Sequence, residues 1–332
     1  MNEEEPDPFI KTNTNVNISK EKTSLKYLHG QFVKFKLHGA RNAIATIKNY
    51  EQNFNLLTQF KPDIQLVDLT EATIINFLEF LNTRERKVGK LNIIRTYKNS
   101  SIASVRSKLS GFFNWLVERQ YLLVNPFDKI PYPDVAYVDR RAYTVKEFES
   151  ICYAINTKIK WATLLVKKRN VALIMFLTLT GVRKEELLGL KLSDIDIPGR
   201  IITVRGETSK SKRTRIIPMN SELVPYLLDY LESRRNFTTP FLWVSGTGDR
   251  NFTEHGAKHF IDILNKVTSI NCHLHRFRHT FATNYYKQTH DIVGLNKLMG
   301  HRTLKMTLAY LRSLPDEHLV EQIRRMTVNE FI

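Results

Sequence analysis

Cysteine is scarce in this sequence: Cys152 and Cys272 are the two in 332 residues, and no Cys-x-x-Cys occurs. That excludes a disulfide framework and a thiolate zinc site, and both read as small buried hydrophobes. No run of eighteen apolar residues is present, which excludes an apolar membrane-spanning helix. The first residues, MNEEEPDPFI, are acidic where a secretory signal would be basic and then apolar, so the chain is expected in the cytoplasm. No internal repeat and no Walker-type glycine-rich phosphate loop appears. Acidic residues are also in deficit, with 33 Asp and Glu against 50 Lys and Arg, a net charge of +17. That excess favours a polyanionic partner, with nucleic acid the first candidate and an anionic membrane surface the second.

The length favours two domains over one. Residues 1–22 have no apolar period and read as a flexible leader. Apolar residues then recur at helical spacing: Ile44, Ile47, Tyr50, Phe54 and Leu57; Ile74, Phe77, Leu78 and Leu81; Ile102, Val105, Leu109, Phe112 and Leu116. The spacing predicts a small all-helical domain over 23–133. NPFDKIPYPDVAYVDRRAY, residues 125–143, sets three prolines among charges and has no period, the mark of a crossing between domains. The linker is drawn at 134–143 and a second domain at 144–332. Thr144 with Glu147 offers a capping box for its first helix, and VALIMFLTLTG, residues 171–181, reads as a buried helix stopped by Gly181. Residues 200–219, RIITVRGETSKSKRTRIIPM, are two β-branched runs around a basic turn, a hairpin. The second domain is therefore expected to be mainly α with a small antiparallel β-sheet.

Taken singly, the residues able to do chemistry have ordinary readings. Arg183, in TGVRKEELLGL, opens a helix and could aim its donors at an anion, but an isolated Arg more often pairs on the surface with an acid one turn along, here Glu186. In HLHRFRHTFAT, residues 273–283, His275 and Arg278 are three apart and share a helical face. His255 and His259 have metal-like i,i+4 spacing, yet HGAKH lacks the Glu of a zinc-protease helix, and no metal site is expected. LMGHRTLKMTLAYL, residues 298–311, ends one helix at Gly300, sets His301 on a turn, and starts another at Thr303 with a stripe of Leu304, Leu308 and Leu311. Tyr310 falls beside that stripe, and alone it is most simply a core or interface aromatic.

The combination carries more. A tyrosine with a pKa of about 10 cannot attack a phosphodiester unaided. It needs cations on the non-bridging oxygens, a base, and a proton for the leaving oxygen. This chain supplies arginines, histidines and a lysine-bearing turn with no metal motif, which implies metal-free phosphoryl transfer through a covalent intermediate.

These residues together resemble the tyrosine recombinase, or phage-type integrase, family, most closely its Xer-like members. The likeness runs over nearly the whole chain after the leader, with the motifs in family order. It implies an N-terminal helical, SAM-like core-binding domain and a C-terminal tyrosine recombinase catalytic domain. Arg183 matches the family's first catalytic arginine and Glu186 its supporting acid; His275 and Arg278 match the His-x-x-Arg pair, His301 the next histidine and Tyr310 the nucleophile. Counting back from Pro218 points to Lys210 as the family's hairpin lysine, with Lys212 as the fallback because GETSKSKRTRIIP departs from the usual form.

The resemblance implies a 3′-phosphotyrosine, a free 5′-hydroxyl and a Holliday junction, with no cofactor, metal or ATP. It further implies a homo- or hetero-tetramer on two double-stranded recombination sites, subject to an accessory regulator in some members. Both domains would clamp the duplex. Arg106 and Lys108 on the first domain and Lys212 and Arg213 in the hairpin are expected DNA contacts, each with a solvated helix face or loop as the plain alternative. The tail after Tyr310, with Leu319, Ile323 and Met326 at helical spacing, would pack in a neighbouring subunit or in its own. A type IB topoisomerase shares much of this site but typically has Lys or Arg at the place of His275; a non-catalytic DNA-binding protein would tolerate loss of a catalytic residue, and none is missing. Chromosome- or plasmid-dimer resolution and mobile-element integration or excision use the same chemistry and stay open at this point.

Overall fold

Leu28, Phe32, Phe54, Phe77, Phe112 and Leu116 are almost wholly sequestered from solvent, and their helical spacing explains the first half of the chain. The structure, a computed structural model, describes residues 24–88, 93–134, 142–209 and 212–311. The chain divides into two units, residues 1–138 and 139–332. The expected leader, residues 1–22, lies outside the described residues.

In the first unit, Ser24 and Thr70 cap α1 (Leu25–Lys34) and α3 (Glu71–Thr83) by accepting backbone N–H bonds. Between them runs α2 (Ile44–Phe60), and α4 (Asn99–Glu118) completes the bundle. Phe112 of α4 stands edge-on to Phe54, and His29 stacks on Phe54 with ring centroids 3.9 Å apart. Burial pushes the His29 imidazole down to about 4, so it packs as a neutral ring. The all-helical expectation needs correction, because β1 (Arg86–Val88) and β2 (Ile93–Arg95) form an antiparallel ribbon after α3. Three-residue strands are too short to leave a readable alternation in the sequence.

The proline-rich stretch begins as part of the bundle, inside the 23–133 bounds drawn for the first domain. Asn125 Nδ2 donates to Ser110 Oγ and Asn114 Oδ1 on α4, and its side-chain Oδ1 accepts from the Phe127 N–H. Phe127 and Ile130 are buried in the bundle core. Arg106 is the pin of this segment: its guanidinium donates to the carbonyls of Phe127, Ile130 and Pro131 and lies 4.1 Å from the Tyr132 ring centroid. Only 5% exposed, Arg106 has its donors turned inward, so the expected DNA contact is corrected to a structural one. Lys108 is half-buried, its ammonium 5.3 Å from the Tyr50 ring centroid.

The second unit is built around α6 (Leu164–Thr180), which is apolar on nearly every side because it is packed on nearly every side. Before it lies α5 (Val145–Tyr153), opened by the expected Thr144–Glu147 capping box. After it come α7 (Lys184–Gly189), then β3 (Ile195–Asp196), β4 (Ile201–Val204) and β5 (Arg215–Pro218), an antiparallel sheet in the order β3-β4-β5 with Ile202 opposite Ile217. Four helices follow: α8 (Val224–Ser233), α9 (Glu254–Thr268), α10 (Leu274–Thr289) and α11 (Ile292–Met299), with α12 (Leu304–Leu311) closing the described chain. Of the cysteines, Cys272 is buried and Cys152 half-buried. Among the described residues, no helix is long and apolar enough to cross a membrane.

Candidate active site

The site is assembled where three chain reversals meet. The first is the end of α6, where Gly181 takes φ +61° and the ring of Phe281 occupies the space a β-carbon would need. This turn delivers Arg183 to the start of α7. Its N–H donates to Glu186 Oε2 at 2.9 Å, its Nη1 to Oε1 at 3.1 Å and its Nη2 to the Gly300 carbonyl at 3.2 Å.

Glu186 is fully buried and is shared. Arg215, from the first position of β5, grips both of its oxygens at 2.7 and 2.9 Å and uses Nε on the Leu298 carbonyl at 2.7 Å. Ser209 Oγ adds a bond at 2.9 Å. Burial alone would raise the Glu186 carboxyl, but the bonds and charge of Arg215, then Arg183, outweigh it and hold it down at about 2. One carboxylate thus ties α7, the hairpin and the α11 terminus together.

The second reversal is the entry to α10, where His273 caps the helix by accepting the Arg276 N–H on Nδ1. One turn later His275 is exposed and Arg278 is 1% exposed. Arg278 donates to the carbonyls of Gly181 and, at 2.7 Å, Met299, and its Nη2 lies 3.0 Å from His301 Nε2. Its Nε has no partner among the described residues. Burial and the neighbouring Arg183 lower its guanidinium to about 10, which still leaves it a cation at neutral pH.

The third reversal is Gly300, at φ +60°, where an added β-carbon would stand 2.9 Å from Arg215 Nη1. His301 follows, 9% exposed, with Nδ1 2.8 Å from Thr307 Oγ1. Burial, then Arg278, Arg183 and Arg215, drive its imidazole down to about 3, so it is neutral. Tyr310 closes the group: its hydroxyl is 3.2 Å from His275 Nε2, and its ring centroid lies 5.3 Å from that of His301 and 5.2 Å from that of His279. Tyr310 packs against the small cluster of Ala282, Leu295 and Met299.

Thus Arg183, Glu186, His275, Arg278, His301 and Tyr310, spread over more than a hundred residues of chain, come together. The predicted stripe on α12 does not hold: Leu304 and Leu308 are 47% and 49% exposed, and Thr307 is the buried position. An eight-residue helix lying on α10 and α11 buries a narrow face of Thr307 and Tyr310, with Leu311, alone of the three stripe leucines, half-buried beside them. Lys210 lies outside the described residues, while Lys212 and Arg213 beside it are exposed. His255 and His259 are exposed on α9, and no group of three His, Cys, Asp or Glu able to hold a metal occurs among the described residues.

Arg215, Ser209 and Thr307 are the residues that sequence reasoning did not single out. Arg215 stood among the turn cations, and what separates it from them is its pairing with Val204 at the head of β5. A cleft of ≈ 520 Å³ opens in front of Arg183, His275 and Arg278, with the Lys184–Glu254 ion pair at 2.5 Å on its rim.

Known proteins resemble the chain over both units. The sequence model of the phage integrase family matches residues 143–317, and that of the phage integrase SAM-like domain residues 14–132. Tyrosine recombinase XerC of Listeria welshimeri is 25% identical over 301 residues, covering 88% of this chain and 94% of that protein. XerC of Oceanobacillus iheyensis is 27% identical over 289 residues, covering 83% and 88%. The Tn1549 transposon integrase, solved in complex with a circular intermediate DNA, shares the fold with a TM-score of 0.72 at 18% identity, covering 92% of this chain and 100% of that one.

Proposed function

The chain belongs to the phage integrase family and is a tyrosine recombinase, and from that premise we propose that Tyr310 is the nucleophile of a site-specific DNA recombination reaction. The observation that carries the assignment is the 3.2 Å contact between the Tyr310 hydroxyl and His275 Nε2, beside the cations Arg183 and Arg278. His275 takes the phenolic proton as the Tyr310 oxygen bonds to phosphorus. The bond from phosphorus to the 5′-oxygen breaks, and Lys210 supplies the proton that leaves a 5′-hydroxyl. Charge building on the non-bridging oxygens is met by Arg183, held by Glu186, by Arg278, held by the Gly181 and Met299 carbonyls, and by His301 once its Nε2 carries the proton.

The phosphotyrosine retains the energy of the broken bond, so attack by a second strand's 5′-hydroxyl reseals DNA without ATP. Repeating the exchange on the other strand passes through a Holliday junction, in a tetramer on two recombination sites. DNA contacts fall to Lys108, Lys212 and Arg213, whose positive charge binds phosphates without reading sequence. The substrate is cytoplasmic double-stranded DNA, and the role is dimer resolution or movement of a mobile element. The Xer names of the relatives and the DNA bound by the transposon integrase support this reading.

The test is a nicked suicide duplex carrying a candidate site, incubated with the protein in EDTA and analysed for a covalent adduct. An adduct is expected from the native chain and none from Tyr310→Phe; an adduct that survives the substitution would reject the nucleophile.

A further inference from the structure

His301 sits between two partners that determine which of its ring nitrogens carries the proton. Arg278 Nη2, at 3.0 Å from Nε2, can only donate, so Nε2 is the acceptor and the proton resides on Nδ1. Nδ1 then donates to Thr307 Oγ1 at 2.8 Å. In that tautomer His301 has no hydrogen on Nε2, and from there it cannot donate to a phosphate oxygen held by Arg278.

Thr307 is built to serve the other tautomer as well. It is fully buried, and Asn296 Nδ2 lies 2.9 Å from its oxygen and 3.0 Å from the Thr303 carbonyl. A backbone carbonyl only accepts, so the Asn296 atom that meets it is the amide nitrogen, and that nitrogen donates to Thr307 too. One lone pair of the Thr307 oxygen is therefore occupied, while its hydroxyl hydrogen can rotate. With Nδ1 protonated, Oγ1 accepts from the ring; with Nδ1 bare, the hydroxyl donates to it.

We propose that Thr307, held by Asn296, is a positioning residue that lets His301 change tautomer when a phosphate enters the cleft. The phosphate draws the Arg278 N–H away from Nε2. A proton leaves Nδ1 and one arrives on Nε2 through solvent, so the ring stays neutral, and the Thr307 hydroxyl turns to donate to Nδ1. His301 then presents Nε2–H to a non-bridging oxygen. The inference rests on the site reading above.

Two measurements test it. In single-turnover cleavage of the suicide duplex, Thr307→Val should slow adduct formation by about tenfold or more at unchanged DNA affinity, part of the roughly 100- to 1,000-fold that outright loss of a transition-state donor costs, whereas Thr307→Ser should cleave within about threefold of native. Placed on a His301→Ala background, Thr307→Val should change the rate by less than about threefold, because its effect runs through the ring. A native rate in Thr307→Val, or the same loss on both backgrounds, overturns the proposal. Independently of any Thr307 variant, 15N shifts of the His301 ring in the full chain should read Nδ1–H without DNA and Nε2–H in the DNA complex of Tyr310→Phe; the same tautomer in both states overturns it. An adduct formed by Tyr310→Phe would reject the site reading itself, whatever Thr307 does.

Discussion

Arg215 holds both oxygens of Glu186, at 2.7 and 2.9 Å, and with Nε holds the Leu298 carbonyl. Arg183 shares the same carboxylate, so the hairpin and the start of α7 keep their relative position through one buried acid.

Arg215→Ala should therefore damage both stability and chemistry. Breaking one partner of a buried ion pair costs about 3–5 kcal/mol, and the bonds Glu186 keeps to Arg183 and Ser209 place this case near the lower figure. Denaturant unfolding of the variant should show a lower midpoint, and adduct formation should fall further than DNA affinity. Arg215→Lys should recover little, because a single ammonium cannot span two oxygens and a carbonyl.

Acid should unfold the second unit ahead of general acid denaturation. Glu186 titrates at about 2 instead of 4.5, and His301 at about 3 instead of 6.5. In both windows the unfolded chain binds more protons, so stability falls as pH drops: first below 6.5 from His301, then below 4.5 from Glu186. Denaturant midpoints measured from pH 7 to pH 3 should decline, and His301→Gln should flatten the upper part of that decline. A midpoint constant over the range would contradict these environments.

Lys210 is best tested by its leaving group. A duplex whose scissile 5′-bridging oxygen is replaced by sulfur expels a thiolate that needs no proton, so Lys210→Ala should cleave it at close to the native rate while failing on the ordinary duplex. If Lys212→Ala shows this rescue instead, the proton donor is Lys212.

Arg106 and Lys108 should separate cleanly. Lys108→Ala should lower the salt dependence of DNA binding by about one phosphate's worth, a change in log–log slope of about 0.9. Arg106→Ala should leave that slope alone and destabilise the first unit, since its donors hold the carbonyls of residues 127, 130 and 131. A reduced slope in Arg106→Ala would restore it as a phosphate contact.

Gly300→Ala combines a left-handed backbone with a close approach to Arg215. A loss of about 1–2 kcal/mol from the backbone alone is expected by thermal or denaturant unfolding, together with slower cleavage because His301 is the next residue.

By itself the sequence determined the helical repeats of both units, the hairpin, the stops at Gly181 and Gly300, the Thr144–Glu147 box and the order of the motif residues. Each of these is local: a period, a cap or a turn is decided by neighbours within one or two turns of chain. The tertiary structure decided what local pattern cannot carry. Arg106 looked like any basic residue on a helix until carbonyls about twenty residues away claimed its donors. Arg215 looked like its neighbours in a basic turn until strand pairing set it against Glu186. On α12 the leucines promised a buried face, and the narrow contact with α10 and α11 buried Thr307 instead, beside His301. Which donor meets which acceptor depends on where distant segments cross, and only the packed chain brings them within hydrogen-bond range.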